Sequence, residues 1–386
     1  MKKHYFLGLA AKNKDSLKFL STRGNEKDYT NLKRYLGEKY NGEAILCKNG
    51  RSALTLALMA YFNKGEKILV NGFTCYAVYE AVKAAGLIPV FVDISQNDLN
   101  FNVESLSKAT DKDCAGIIVQ NTLGNPVDIK AIERFAGENG LIIIEDLAHC
   151  VGIKYKDGRE AGTVGAATAL SFGKEKSIDT VSGGALVLRY PCNLLRKNSD
   201  NVSKTTKIPG RRVIAEPDSE PKRSDILRSR WYPTFAKWCR GLTRIHLNGI
   251  LMRILLKFHW VEKSADNKLD LKRLPATFEA KFALEQFKNL KKNGEPPIRT
   301  FYLVHNRDEV LVELKRAGYY FDGFWYEKPV SPERYYKKVH FDEEKCPVAT
   351  RVAKEIINFP TYYPNTELKD AYKIVENYLV KGEENG

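Results

Sequence analysis

Two stretches, LIIIEDLAHC (residues 141–150) and SFGKEKSIDTVSGG (residues 171–184), decide how this chain is read. Leu141, Ile142, Ile143 and Ile144 make an unbroken apolar run, the pattern of a strand buried on both faces of a sheet. Asp146 closes that run, at the edge where open α/β sheets bind their ligands. Thirty residues further on, Lys176 stands on a turn of small residues. A lysine there is placed to form a Schiff base, with Asp146 as partner for a pyridinium nitrogen.

Working outward, short apolar runs alternate with helix-like segments from residue 43 to residue 189. Strands are expected at 44–47, 67–70, 89–92, 116–120, 141–145, 168–172 and 185–188. Helices are expected at 52–62, 76–85, 103–107 and 128–139. This alternation predicts an α/β fold, a mostly parallel sheet with helices on both faces. Gly86 and Gly140 follow their helices, where left-handed C-caps belong. Beyond residue 275 the pattern is α+β. Helices are read from Pro275 onward, at 306–316, 348–357 and 367–380, with an extended stretch at 300–304.

With 386 residues, the chain exceeds the size at which one core usually stops growing. The expected division is a large α/β domain with an N-terminal arm (1–190), a basic linker or helical insertion (191–270), and a small α+β domain (271–386). Apolar content of 43% and charged content of 28% are ordinary for a globular protein. Cysteines 47, 75, 114, 150, 192, 239 and 346 are dispersed and odd in number, and predict reduced thiols in a reducing cytoplasm. No apolar run approaches the roughly 20 residues of a membrane span, and the N-terminal run is too short for a secretory signal.

The net charge of +15 is concentrated in residues 191–270, which hold 17 Lys/Arg against 8 Asp/Glu. Such an excess fits an anionic partner or simply a solvated basic face. A phosphorylated substrate accounts for it without invoking nucleic acid. Residues 235–258 read as one or two basic amphipathic helices. Packing against the protein itself is the commoner outcome for such helices, and membrane-surface contact the rarer one.

Three segments carry chemistry. In CKNGRSALTLAL (residues 47–58) a strand ends, Asn49-Gly50 turn, and a helix starts near Ser52. The exposed N–H groups at that helix start form an anion site, suited to phosphate, and Arg51 is placed to add a charge-assisted contact. Taken alone, this is an ordinary strand-turn-helix. In the second segment, Asp146 suits a buried carboxylate that keeps a ring nitrogen protonated, and His149 is in reach of the ring or its 3′ oxygen. The structural alternatives are a helix N-cap and a satisfied core histidine. In the third segment Ser171 ends a strand with a hydroxyl available to phosphate. Lys174 is a solvated neighbour, and Gly183-Gly184 permit close backbone approach. Phosphate turn, acid, then lysine is the order expected of a pyridoxal 5′-phosphate (PLP) enzyme.

These residues sit within longer stretches that resemble the DegT/DnrJ-type family of PLP-dependent sugar aminotransferases, which have the aspartate aminotransferase fold. The likeness runs through NGRSALTLAL, the stretch 67–94, residues 123–178, RLPATFEAKFALEQFKNL and CPVATRVAKEIINFPTYYP. It implies Lys176 as the aldimine lysine, Asp146 as the partner of the pyridine nitrogen, His149 beside the ring oxygen and Ser171 as a phosphate ligand. Gly50, Arg51 and Ser52 are carried over as the phosphate cradle. It further implies transfer of an amino group from an amino acid, glutamate for preference, to a nucleotide-linked keto-sugar. The family works as a homodimer with its sites at the interface.

The chain also departs from the pattern. Cys75 stands where the family places an aromatic to stack on the cofactor, leaving Tyr76 or Phe73 as substitutes. Val181 and Ser182 replace a glycine and an acid, and Arg51 replaces a small hydroxyl residue. The partner subunit's usual phosphate-binding asparagine has no counterpart just before Arg273. Two rival functions follow. A PLP-dependent sugar dehydratase is disfavoured, because its relatives replace the lysine with histidine. A non-catalytic regulatory or membrane-associated member is the other.

Overall fold

The computed structural model describes residues 3–5, 26–173, 176–180, 183–189, 207–208, 212–213, 269, 271, 277–321, 324–361, 363 and 365–380. The expected basic helices over 235–258, nearly all of the insertion 191–270, and Lys174, Val181 and Ser182 lie outside these residues.

Seven strands form the central sheet: β1 (Glu43–Cys47), β2 (Lys67–Asn71), β3 (Ile88–Val92), β4 (Cys114–Val119), β5 (Ile142–Asp146), β6 (Ala167–Ser171) and β7 (Gly184–Leu188). Their order is β1-β7-β6-β5-β4-β2-β3. Pairing is parallel from β3 across to β6, and only β7 runs against its neighbours. Successive side chains of a strand point to opposite faces, and the two cores follow that alternation. Leu69, Ile117, Val119 and Ile143 pack into one core. Ile68, Val70, Ile118 and Ile144 pack into the other. Both faces are therefore covered, which is why these strands read as continuous apolar runs.

The covering helices are α1 (Glu26–Lys39), α2 (Gly50–Tyr61), α3 (Tyr76–Ala84), α4 (Val103–Ala109) and α5 (Ile129–Glu138). Helix α5 shows how local signals set an element. Asp128 Oδ1 accepts the Ala131 N–H (3.2 Å) at its start. Ile129, Ile132, Phe135 and Ala136 bury one stripe. Gly140 then leaves at φ 65°, a conformation that a Cβ opposes. Gly86 (φ 83°) does the same after α3.

Beyond the sheet come α6 (Thr277–Lys288), β8 (Arg299–Leu303), α7 (Arg307–Arg316), α8 (Pro347–Glu355), β9 (Ile356–Pro360) and α9 (Asn365–Glu376). Helix α6 returns to the first core through Ala280, Ala283 and Phe287. Strands β8 and β9 pair antiparallel over a separate core of α7 and α9. Here one expectation is corrected. The stretch 348–357 read as a single helix, but helix ends at Glu355 and Ile356 turns extended (φ −72°, ψ 132°). Ile356 and Ile357 instead pair with Leu303 and Tyr302 of β8. Branching at Cβ favours that outcome.

The start of α8 is held by the large sheet. Asp93, just after β3, accepts the N–H groups of Val348 (3.1 Å) and Ala349 (2.9 Å). An anion at a helix N-terminus satisfies orphan donors and meets the positive end of the dipole. Residues 3–5 form a short parallel pair with 319–321. Among the described residues no helix is long and apolar enough to cross a membrane. The described cysteines 47, 75, 114, 150 and 346 are free thiols, all but Cys75 buried.

Candidate active site

The carboxyl ends of β1, β5, β6 and the start of β7 meet at one place. Gly50 opens α2, where Asn49 acts as N-cap and its Oδ1 accepts the Ser52 N–H (2.9 Å). A Cβ at Gly50 would lie 2.6 Å from Ser171 Cβ, and one at Gly184 would lie 2.5 Å from the Asn49 carbonyl carbon. Only glycine allows strands β6 and β7 to approach the helix start this closely. The expected phosphate turn, Ser171 and the paired glycines are thus neighbours in space. In this arrangement the Ser52 amide is engaged by its own cap, while the Arg51 guanidinium pairs with Glu80 on α3 (2.5 Å). The Arg51 side chain, expected to face a phosphate, is thus directed toward α3 by this ion pair.

The two residues that end β5 point to opposite faces. Glu145 is wholly buried. It accepts the Tyr155 hydroxyl (2.8 Å) and the amides of Gly162 (2.7 Å), Val164 (2.8 Å) and Gly165 (2.6 Å). Arg189 lies 3.4 Å away. Glu145 thereby fixes the turn that launches β6 and Ser171. Asp146 faces the other way, 7% exposed, with Oδ1 accepting the Ala148 N–H (3.0 Å). Burial raises its carboxyl above the ordinary range, and the Ala148 amide and the positive charge of Lys176 partly offset that.

Lys176 sits in a turn whose amide reaches the Gly173 carbonyl (3.3 Å). Its Nζ lies 4.4 Å from the centre of the Trp325 ring. Its charge acts on both Asp146 and His149, so the lysine and the acid share one site.

His149 is buried, with both ring nitrogens engaged. Nδ1 accepts the Leu123 N–H (3.2 Å), and Nε2 lies 3.1 Å from the Tyr326 hydroxyl. Since a nitrogen accepting an N–H carries no proton, the neutral ring is protonated at Nε2 and donates to Tyr326. Burial, with the charges of Lys176 and Arg299, holds this imidazole well below its usual pKa. It is at once a satisfied buried histidine and a site residue.

Four residues that sequence reasoning did not single out complete the arrangement. Trp325 stacks on His149 (4.9 Å between centres, 22°). Tyr326 follows it. Arg299, 2% exposed on β8, lies over Trp325 (4.2 Å). Asn358 on β9 accepts from Arg299 Nη1 (2.7 Å) and holds the Trp325 backbone, accepting at its N–H (3.4 Å) and donating to its carbonyl. Of the proposed stacking residues, Tyr76 lies against Tyr335 (4.4 Å) and Phe73 meets Tyr326 edge-on (5.3 Å). The aromatic ring brought against Lys176 is Trp325.

Residues 15–194 match the DegT/DnrJ/EryC1/StrS aminotransferase family. A pleiotropic regulatory protein of Geobacillus stearothermophilus is 24% identical over 345 residues, 86% of this chain and 84% of that protein. A GDP-perosamine synthase of Escherichia coli O157:H7 is 33% identical over 145 residues, spanning 37% of this chain and 40% of that enzyme. Among solved structures, a Streptococcus pneumoniae chain provisionally described as a sugar aminotransferase, in its PLP form, superposes with a TM-score of 0.64. That superposition covers 95% of this chain and 97% of the other at 16% identity, a likeness of fold.

Proposed function

We propose that this chain, whose residues 15–194 match the DegT/DnrJ/EryC1/StrS aminotransferase family, is a member of that family and a PLP-dependent aminotransferase. Its amino donor is an amino acid, glutamate for preference, and its acceptor a nucleotide-linked keto-sugar bound for polysaccharide, glycan or amino-sugar biosynthesis. The observation that carries this reading is the meeting of Lys176, Asp146 and His149 beside Gly50 and Ser171. These residues come from three segments and converge at the carboxyl edge of one sheet.

The site fits the cofactor on its own chemistry. The cradle between Gly50, Ser171 and Gly184 is too close for any Cβ, which leaves backbone and hydroxyls to face a phosphate. Asp146 is buried and has its carboxyl raised. A protonated ring nitrogen would add positive charge directly against this carboxylate and offset the cost of burying it. When bound, PLP accepts the amino group and stabilises charge at the donor's α-carbon. Lys176 would hold the cofactor and then, as a free amine, move the proton at that α-carbon, a role typically worth 10²–10⁴-fold in rate. His149, held neutral and tied through Nε2 to the Tyr326 hydroxyl, would stand beside the ring oxygen. The Cβ-free contact between Gly184 and Asn49 would keep water out beneath the phosphate.

The proposal extends to a homodimer, a cytoplasmic setting consistent with free buried thiols, and a division into domains at 1–190, 191–270 and 271–386. The test is direct. Purified protein with added PLP should turn yellow, lose that band on adding glutamate, and regain it with a keto-sugar nucleotide. Lys176→Ala should show none of these changes.

A second reading, a non-catalytic regulatory member, is favoured by one observation: Trp325 is packed against both Lys176 and His149. It predicts that the wild type and Lys176→Ala behave alike in that same assay.

A further inference from the structure

We propose that Gln286 is the positioning residue of the Lys176 turn. The proposal rests on the aminotransferase reading above and adds a residue to it.

Gln286 lies on α6, and its side-chain amide grips the backbone just beyond the lysine. Oε1 accepts the Asp179 N–H (2.9 Å), and Nε2 donates to the Asp179 carbonyl (2.9 Å). One side chain thus does for Asp179 what a paired strand would do. The next residue is tied as well. The Thr180 N–H (2.9 Å) and hydroxyl (3.3 Å) both donate to the Phe172 carbonyl. Phe172 precedes the lysine, and its ring meets Phe287, the neighbour of Gln286 on α6, edge-on (5.8 Å, 83°). Ile178 is fully buried in the same core as Phe172 and Phe287. Lys176 therefore stands between two stretches of chain that α6 holds in place.

The two duties of the lysine make this grip matter unequally. While Lys176 holds the cofactor, the covalent bond fixes its nitrogen. Once the donor's amino group has displaced it, that tether is gone. The freed amine must then take the proton from the donor's α-carbon, whose electron pair passes into the cofactor. It returns the proton to the cofactor's reactive carbon, so no co-reactant is consumed. The nitrogen must stay within reach of both carbons, and its place now depends on the non-covalent ties of its turn. Misplacing a reacting group by about 1 Å can cost about 10²-fold in rate. Gln286 acts through the turn it holds, without touching the reacting atoms.

The experiment compares full-length wild type with Q286A and Q286E. In cofactor-free protein, amide hydrogen exchange read by mass spectrometry should be at least about tenfold faster in Q286A for a peptide containing Asp179 and Thr180, with the sheet strands unchanged. With PLP bound, loss of the yellow band at saturating amino donor, L-glutamate first, should be at least about tenfold slower in Q286A. Cofactor affinity, from absorbance titration, should fall by a smaller factor than that rate, a division that a general loss of structure would not produce. Donor deuterated at its α-carbon should slow Q286A at least as much as it slows wild type, because the proton transfer is the step impaired. Should Q286A fail to fold, Q286E carries the test. It keeps an acceptor for the Asp179 amide, loses the donor to its carbonyl, and should slow band loss at least about fivefold. Band loss within about threefold of wild type in the folded variants overturns the proposal and leaves the aminotransferase reading standing. So does a cofactor affinity that falls more than the rate, or exchange at Asp179 that is unchanged. A wild type that takes up no cofactor, or loses its yellow band to no proteinogenic amino acid, overturns both.

Discussion

Glu145→Gln tests how the sheet delivers the site. The native carboxylate has two oxygens, and each accepts from two donors or more. Oε1 takes Tyr155 and Gly162, and Oε2 takes Val164 and Gly165 beside Arg189. An amide keeps one oxygen and turns the other into a donor. Whichever way it flips, two buried donors then face an N–H₂ group. Each unsatisfied donor costs about 1–3 kcal/mol, and Arg189 loses its counter-charge, so about 3–5 kcal/mol in all is expected. With an m of roughly 2–3 kcal/mol per M, the urea midpoint should fall by about 1–2 M. Unfolding should be followed by circular dichroism and by tryptophan emission together, so that loss of coincidence exposes an intermediate. A midpoint within about 0.2 M of wild type would refute the claim that this carboxylate clamps the turn at 162–165.

Other outcomes are expected from the same structure. Gly184→Ala forces a Cβ to within 2.5 Å of backbone at Asn49. It should cost about 1–3 kcal/mol and weaken PLP binding at least about tenfold, read by absorbance titration. His149 titrates below its ordinary value of 6.5 in the fold. Above pH 6.5 both folded and unfolded chains hold it neutral. As pH drops through 6.5 the unfolded chain takes up a proton that the fold refuses. Stability should therefore decline toward acid by up to about 1.4 kcal/mol per pH unit, and His149→Gln should remove that component of the slope in denaturant titrations. Trp325 lies beside Lys176, so cofactor binding should quench tryptophan emission. Trp325→Phe should lose most of that quenching, and its persistence in the variant would place the cofactor elsewhere.

The sheet was legible because both of its faces are covered: runs such as 141–144 leave no polar alternation to misread. Lys176, Asp146, His149, Gly50 and Ser171 were legible for a related reason. Asp146 and Ser171 end strands, Gly50 opens a helix, and His149 and Lys176 lie on the turns that follow, where backbone geometry leaves a mark in residue type. Arg299, Trp325, Tyr326 and Asn358 leave no such mark. Arg299 in EPPIRTFYLV reads as one more cation on a short strand, and its burial depends on β9 and Trp325, both distant in sequence. Asn358 was hidden by a periodicity that made 348–357 look helical, when pairing with β8 decides otherwise. Arg51 shows the limit of motif logic, since the turn's own sequence carries no sign of its ion pair with Glu80 on a neighbouring helix.

Asp93 gives the whole assembly a fulcrum. Its carboxylate grips the first amides of α8, and that helix runs straight into β9, which carries Asn358 and, through it, Arg299 and Trp325. Asp93 is thus tied, through one helix and one strand, to the indole and guanidinium that stand beside Lys176, so a change at that carboxylate should be felt at the far end of this chain of contacts.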